Sequence, residues 1–264
     1  MWRLDGVLWG IVGLLPLCSN CSNGSRQAQD AGLPDSAPAC SFADPALTRA
    51  VAASGWGPPD SVFSLELTDV SDLHGIECLS DLEQLRLSSA LITDFSPLAG
   101  VPKLNMLWVS NAKVTALAPF AAITHLQTLS VSGQFSDLSP LTSLAGLTQL
   151  SVDSPNLTSL ASVKAMPKLS DLVLGTSPVA AFLGVEGSPE LYSSNASNAQ
   201  SVAGLHDLAK LVSLDLSGSP ITSVAGLALT PTLKDLSVEH TRLASFVGLG
   251  QQANLKIIRA ADTA

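Results

Sequence analysis

Basic residues are scarce in this sequence of 264 residues, in which 13 lysines and arginines stand against 22 aspartates and glutamates. The formal net charge of −9 argues against a general nucleic-acid-binding protein, which needs basic patches to replace the counterions of the phosphates. The same deficit argues against adsorption to anionic lipid by charge alone. The sequence therefore predicts neither a nucleic-acid partner nor an electrostatic contact with a membrane.

The sequence also lacks the short motifs that carry common catalytic chemistry. It has no G-x-S-x-G, no phosphate-binding P-loop and no H-E-x-x-H. Its four histidines are scattered along the chain, at His74, His125, His206 and His240, and are better explained as surface side chains than as a metal site. Cys18 and Cys21 have the spacing of a zinc or redox pair, but no second pair accompanies them. We expect no catalysis, no metal site and no cofactor.

A long apolar run is present only at residues 6–17, GVLWGIVGLLPL. This run is too short to cross a bilayer as a helix, but its length suits the apolar segment of a signal peptide. We therefore expect residues 1–17 to be a signal peptide and the mature protein to leave the cytosol. Residues 18–39 are rich in Ser, Asn, Gly, Ala and Pro and should form a flexible tether.

The end of this run resembles a bacterial lipoprotein signal, in which a lipobox ends at the cysteine that is lipidated. Leu15 stands three residues before Cys18, as in such signals, although Pro16 and Leu17 replace the usual small residues. Cys21 is the second candidate for lipidation, and an ordinary cleaved signal peptide is the alternative. The resemblance implies a lipoprotein anchored at a bacterial membrane or cell surface, with a secreted or periplasmic protein as the alternative.

What the sequence does contain is a repeat with a period of about 22 residues, which is typical of a solenoid. Each repeat begins with L-x-x-L-x-L, and its first leucine recurs at Leu82, Leu104, Leu126, Leu147, Leu169, Leu191, Leu211, Leu233 and Leu255. The fourth and sixth positions are apolar and alternate with polar ones, which predicts one buried face of a short strand. Since no single coil can bury these side chains, stacked coils must cover one another.

The predicted fold is an α/β leucine-rich-repeat solenoid over residues 62–264. Its short parallel strands should line the concave face, and 3-10 or loop segments should form the convex face. Two more apolar columns, one running from Phe95 to Phe246, should complete the core. A small helical cap is predicted at residues 40–61, because Asp44 is a good N-cap and Pro45 suits the first helical position.

Three stretches resemble the cap and repeats of internalin-like bacterial leucine-rich-repeat proteins. They are FADPALTRAV at 42–51, LTDVSDLHGIECLSDLEQLRLS at 67–88 and ITDFSPLAGVPKL at 92–104. The resemblance covers residues 41–264. It implies the fold of that family and says little about the ligand.

The chain departs from that family at the ninth repeat position, where an asparagine amide usually bonds to neighbouring backbone. The residues found there are Ala90, Ala112, Pro155, Ser177, Ser219 and Thr241. Backbone groups at this position then need hydroxyl or water partners. The repeat beginning at Leu191 is also irregular, with Ser194 and Ala196 at core positions, so we expect a weak joint or a bulged loop there.

The remaining cysteines belong to the folded N-terminal part of the chain. Cys40 opens the cap and Cys78 lies in the first, shorter repeat, so an exported protein could keep a disulfide between them. Two unpaired thiols, or a Cys21–Cys40 pair, are the alternatives, because pairing cannot be read from sequence.

Outward-facing strand positions, the third and fifth of each repeat, carry mostly small polar residues. The exception is Trp108 beside Met106 and Arg86, and Trp and Arg carry much of the energy at protein interfaces. Toward the C-terminus the same face becomes acidic. The candidate ligand-binding residues are Arg86, Met106, Trp108, Asp171, Asp215 and Asp235. A partner with an apolar anchor and a basic flank would complement them. The alternative is that Trp108 lies flat on its neighbours.

The predicted function is an exported, lipid-anchored binding module for a protein or glycan partner, without catalysis. The alternative is a structural cell-envelope protein that associates with itself. The sequence stops at Ala264, ten residues into a repeat and without a cap motif, so the open last coil is predicted to offer the surface for self-association.

Overall fold

The computed structural model describes residues 40–55, 57–186 and 188–263. The predicted signal peptide and tether, with Cys18 and Cys21, lie outside these residues. In the described part, ten short parallel strands form one sheet in chain order. They are β1 (Ser64–Leu67), β2 (Gln84–Ser88), β3 (Met106–Ser110), β4 (Thr128–Ser132), β5 (Gln149–Asp153), β6 (Asp171–Val173), β7 (Ser193–Asn195), β8 (Ser213–Asp215), β9 (Asp235–Ser237) and β10 (Ile257–Arg259).

Each strand in the body of the sheet buries its fourth and sixth repeat positions and turns the third and fifth outward. In β2 the side chains of Leu85 and Leu87 are buried, whereas Arg86 between them is exposed. Neighbouring strands pair residues of the same repeat position, as Arg86 pairs with Trp108. This register turns each column of the sequence into a row across the sheet, which confirms the predicted solenoid and its concave face.

Short 3-10 helices lie opposite the sheet and carry residues of the other core columns. Those among the described residues are Ile76–Cys78, Ser96–Gly100, Ala118–Ala122, Ser139–Ser143, Val163–Ala165, Ala225–Leu229 and Leu249–Gln251. One more 3-10 helix, Pro59–Ser61, precedes β1 and buries no side chain. The rings of Phe95 and Phe120 lie 5.1 Å apart, so packing runs from coil to coil. The prediction that Phe246 is buried in the same way is wrong. Its side chain is 41% exposed, because no coil in the described range packs against its outer side.

Hydroxyl side chains take over the role of the missing asparagines. The hydroxyl of Ser177 accepts a hydrogen bond from the backbone N–H of Ser154 at 3.0 Å, and the hydroxyl of Ser154 donates to the carbonyl of Phe135 at 2.6 Å. Thr241 donates to the carbonyl of Val238 at 2.8 Å. These side chains are buried, so each bond satisfies a backbone group that water does not reach.

The repeat that begins at Leu191 continues the strand ladder without a bulge. Strand β7 pairs in register with β6 and with β8, so the predicted bulged loop is absent from the sheet. Ser194 and Ala196 do occupy buried core positions, and the Ser194 hydroxyl has no hydrogen-bond partner among the described residues. A weakness at this repeat would therefore come from the core, where an unpaired hydroxyl replaces a leucine.

The N-terminal cap is a single helix, α1 (Pro45–Ala53), which buries Leu47 and Val51. One carboxylate oxygen of Asp44 caps this helix by accepting from the Ala46 N–H at 2.7 Å. The other oxygen accepts from the N–H and the hydroxyl of Ser71, at 2.6 and 2.9 Å. These bonds, with the Ser71 N–H as the largest cause, lower the pKa of Asp44 to about 2. Asp44 therefore ties the cap to the first coil.

We expect Asp44→Ala to lower the free energy of unfolding by about 2 kcal/mol, because it leaves donors of α1 and of the first coil unpaired. Since the folded-state pKa is lowered from 3.8 to about 2, the contribution of the carboxylate is complete above the unfolded value and is lost as the pH falls toward 2. Denaturant unfolding at pH 7 and pH 2.5 measures both effects. Asp69→Ala, at an exposed site, is the control. A pH-independent difference between wild type and Asp44→Ala would contradict this account.

Candidate binding surface

The fifth repeat position brings Arg86 on β2 and Trp108 on β3 into contact. The Cζ atom of Arg86 lies 4.2 Å from the centroid of the Trp108 ring, which is a cation–π contact. Arg86 is exposed and Trp108 is partly buried. None of the ion pairs formed within the described ranges includes Arg86. The stack therefore restrains the indole and leaves the guanidinium without an ion-pair partner among the described residues.

A groove of about 370 Å³ lies beside this stack, between Trp108 and Val173. Ser130 on β4 and Ser151 on β5 stand between these two residues in the same row. Because serine is short, the floor of the groove is low, and the larger Trp108 and Val173 side chains form its walls. Three strand spacings, or roughly 14 Å, separate the backbones of the two walls.

Polar groups of the third repeat position line the same groove. The hydroxyl of Thr128 donates to Oε1 of Gln149 at 3.1 Å. Asp171 follows on β6, where one of its carboxylate oxygens accepts from the hydroxyl of Ser170 at 2.7 Å. The groove thus has apolar walls, a polar edge and a single carboxylate among its lining residues.

The structure brings together only some of the residues that the sequence singled out. Trp108 and Asp171 line one groove, Arg86 stacks on its wall, and Met106 precedes Trp108 by two residues on the same strand. Asp215 and Asp235 lie on β8 and β9, away from the groove. Each oxygen of Asp215 accepts a hydrogen bond at 3.0 Å, one from the Asn195 amide and one from the Ser217 N–H.

Sequence reasoning did not single out Val173, which is 39% exposed and forms the second wall. The signal was present in the fifth-position column, where Trp108 and Val173 are the only large apolar residues. Ser130 and Ser151 separate them, so the order of large, small, small and large side chains marks a groove.

The two described cysteines lie at the cap, away from this groove. Cys40 and Cys78 are partly buried, and both are thiols. The pKa of Cys40 is raised to about 11, first by burial and then by a hydrogen bond with the Cys78 thiol. The two side chains are therefore close together, and the disulfide between them stays a prediction.

No three His, Cys, Asp or Glu side chains in the described ranges lie close enough together to hold a metal ion. No helix in the same ranges is long and apolar enough to span a bilayer.

Neither a protein-family model nor a curated protein matches the chain. Solved structures do share its fold. The internalin InlF of Listeria monocytogenes has a TM-score of 0.63 and 24% identity, over 83% of this chain and 76% of that chain. Internalin C2 of the same organism has a TM-score of 0.60 and 22% identity, over 83% of this chain and 94% of that chain.

A more distant neighbour is Toll of Drosophila, solved in complex with Spatzle. Its TM-score is 0.58 and its identity is 17%, over 72% of this chain and 31% of that chain. At identities below 25%, these likenesses concern the fold. The chain is an internalin-like leucine-rich-repeat protein in its fold.

Proposed function

We propose that the protein is an exported binding module, anchored to a bacterial membrane by a lipid on Cys18 or Cys21, that recognises a protein on its concave face. The observation that carries this proposal is the groove between Trp108 and Val173, with Arg86 stacked on its wall. Aromatic and arginine side chains that border a small pocket are the usual anchors of protein interfaces. Toll, which shares the fold, was solved with a protein ligand, and this supports a protein over a glycan.

The proposed function involves no catalysis, and the chemistry of the groove supports this. Asp171 is the single ionisable side chain among the residues that line the groove. Ser130 and Ser151 therefore have no histidine or lysine in the lining that could act as their base. A groove of this composition binds a ligand through contact and charge.

We expect Trp108→Ala to weaken binding of the partner by about 30-fold, equivalent to about 2 kcal/mol, because it removes the larger apolar wall. The partner is first captured with the wild-type mature chain, and its affinity for each variant is then measured by interferometry. Leu183→Ala, at a side chain 60% exposed on the opposite side of the coil, is the control.

Two outcomes would count against this role of Trp108. Equal affinity of wild type and Trp108→Ala, with unchanged melting temperature, removes the groove as the binding site. A large fall in melting temperature instead supports the alternative in which Trp108 serves packing. Binding of a glycan that depends on Trp108 would assign the groove to that class of ligand.

The proposed lipid anchor on Cys18 or Cys21 can be tested separately. In a bacterial host, the parent chain should incorporate labelled palmitate and partition into detergent, and Cys18→Ser with Cys21→Ser should abolish both. The two single variants identify the modified cysteine. If the double variant partitions like the parent, the anchor does not depend on either cysteine and the proposal fails.

Self-association is the second candidate function, and exposed apolar side chains in the last described coil favour it. Val247 is 75% exposed and Ile258 is 48% exposed. Light scattering of the mature chain separates the candidates. A mass that grows with concentration, and that Ile258→Asp returns to the monomer, would favour the structural role.

A further inference from the structure

Charges of opposite sign flank the apolar groove. Arg86 stands on β2, beyond the Trp108 wall, and Asp171 stands on β6, beside Val173. The line from Arg86 to Asp171 crosses the strands, so it runs over the groove from wall to wall. A ligand that lies across the strands would meet a cation, an apolar groove and an anion in that order.

Neither Arg86 nor Asp171 forms an ion pair with a described neighbour of opposite sign. Glu66 on β1 is the strand partner of Arg86, but Arg86 turns to the other side and stacks on Trp108. Asp171 has the neutral Ser170 hydroxyl as its hydrogen-bond partner. No ion pair in the described part of the chain includes either residue. Both charges therefore remain available to groups of a ligand.

We propose that the groove binds an extended peptide segment whose apolar anchor is flanked by an acidic residue on one side and a basic residue on the other. This inference rests on the proposed function. The anchor fills the groove between Trp108 and Val173. The acidic side chain pairs with Arg86, and the basic side chain pairs with Asp171. A segment with equal charges on both flanks would place like charges together at one end.

The strand spacing sets the length of such a segment. Arg86 and Asp171 lie four strands apart, or roughly 19 Å at the usual spacing between strands. An extended chain covers this span in about 6 residues. The centre of the groove, between Ser130 and Ser151, lies roughly 12 Å from Arg86, which places the anchor three or four residues from the acidic side chain, at about 3.3 Å per residue.

A random dodecapeptide library, selected on the mature chain, tests this proposal. We expect enrichment of an aliphatic or aromatic anchor with an acidic residue on one flank and a basic residue on the other. Peptides selected on Arg86→Gln should lose the preference for an acidic residue and keep the preference for a basic one. Peptides selected on Asp171→Asn should lose the preference for a basic residue and keep the preference for an acidic one. Asp215→Asn, at an acidic residue outside the groove, should select the complete pattern and is the matched control.

A selected peptide then gives the size of each charge contact. Changing its basic residue to glutamine should weaken binding to the wild type by about tenfold, as expected for a charge-assisted hydrogen bond. The same change should have little effect on binding to Asp171→Asn. Equal weakening in both proteins would show that the basic residue acts elsewhere and would overturn the proposal.

The remaining outcomes separate this inference from the proposed function. Peptides that require Trp108 but show no charge preference would leave the binding groove standing and overturn the charge assignment. If no peptide is enriched more strongly on the wild type than on Trp108→Ala, the proposal of an extended-peptide ligand is rejected. Affinity of the captured partner for wild type and Trp108→Ala then decides whether the groove binds a folded protein.

Discussion

Replacing Gly184 with alanine should lower the free energy of unfolding by about 3 kcal/mol or more. Gly184 has φ of +103°, a left-handed conformation that strains any residue with a Cβ atom. An added Cβ would also come within 3.0 Å of the Cα atom of Ala161 and the carbonyl oxygen of Leu160 in the preceding coil. Because these are backbone atoms, they cannot rotate away, and the two coils would have to separate.

Gly250→Ala is the matched control for this prediction. Gly250 also belongs to the convex side, but an added Cβ there would meet no atom within 4 Å, and its φ is not positive. Urea unfolding followed by circular dichroism should show Gly250→Ala within about 0.5 kcal/mol of the wild type. Equal stability of Gly184→Ala and Gly250→Ala would contradict the close approach of the coils.

The second large effect is expected from a disulfide between Cys40 and Cys78. Closing a loop of about 38 residues should add about 4 kcal/mol in the chain-entropy model. Reduction of the oxidised protein should then lower the melting temperature by roughly 10 °C. The raised pKa of Cys40 leaves little of its reactive thiolate at pH 7, so we expect the folded, reduced protein to form this bond slowly without a catalyst.

Mass mapping of the oxidised protein under non-reducing conditions checks the pairing directly. The double variant Cys40→Ser with Cys78→Ser should melt at the same temperature with and without reductant. A free Cys78 in the oxidised protein, or a Cys21–Cys40 peptide, would contradict the predicted pair.

The fold could be predicted because each core position is repeated many times. Leu85, Leu107 and Leu129 occupy the same position at a spacing of 22 residues, and all three are buried in paired strands. Alternation with polar neighbours then assigned the strand faces. The cap was predictable from Asp44 and Pro45, whose local preferences agree with the helix that forms.

A glycine column on the convex side was not predicted, although the sequence contains it. Gly75, Gly184, Gly204 and Gly248 all have φ near +100°, and an added Cβ at each would clash with an earlier segment of the chain. Three other coils place proline at the corresponding position, at Pro97, Pro119 and Pro140, inside a 3-10 helix. Glycine is required only in the coils whose backbone takes this left-handed conformation against the preceding segment, and the repeat pattern alone does not reveal which coils do so.

Candidate binding residues could be named from the sequence, but the groove beside Trp108 could not, for a related reason. The repeat predicts the order of the residues in this row, which is Arg86, Trp108, Ser130, Ser151 and Val173. The groove becomes visible only when the sizes of these side chains are compared from strand to strand. Residue type alone singled out Asp215 as part of an acidic binding face. In the structure its oxygens accept hydrogen bonds from Asn195 on β7 and from Ser217, which follows β8.

Site-specific photo-crosslinking tests the central claim most directly. Gln149, an exposed residue of the groove, is replaced by benzoylphenylalanine in one variant of the chain, and Leu183 on the opposite side is replaced in a second variant. We predict that position 149 crosslinks to one protein, that Trp108→Ala abolishes this product, and that position 183 does not form it. The same product from position 183, or a product from position 149 that survives Trp108→Ala, would contradict binding at the concave groove.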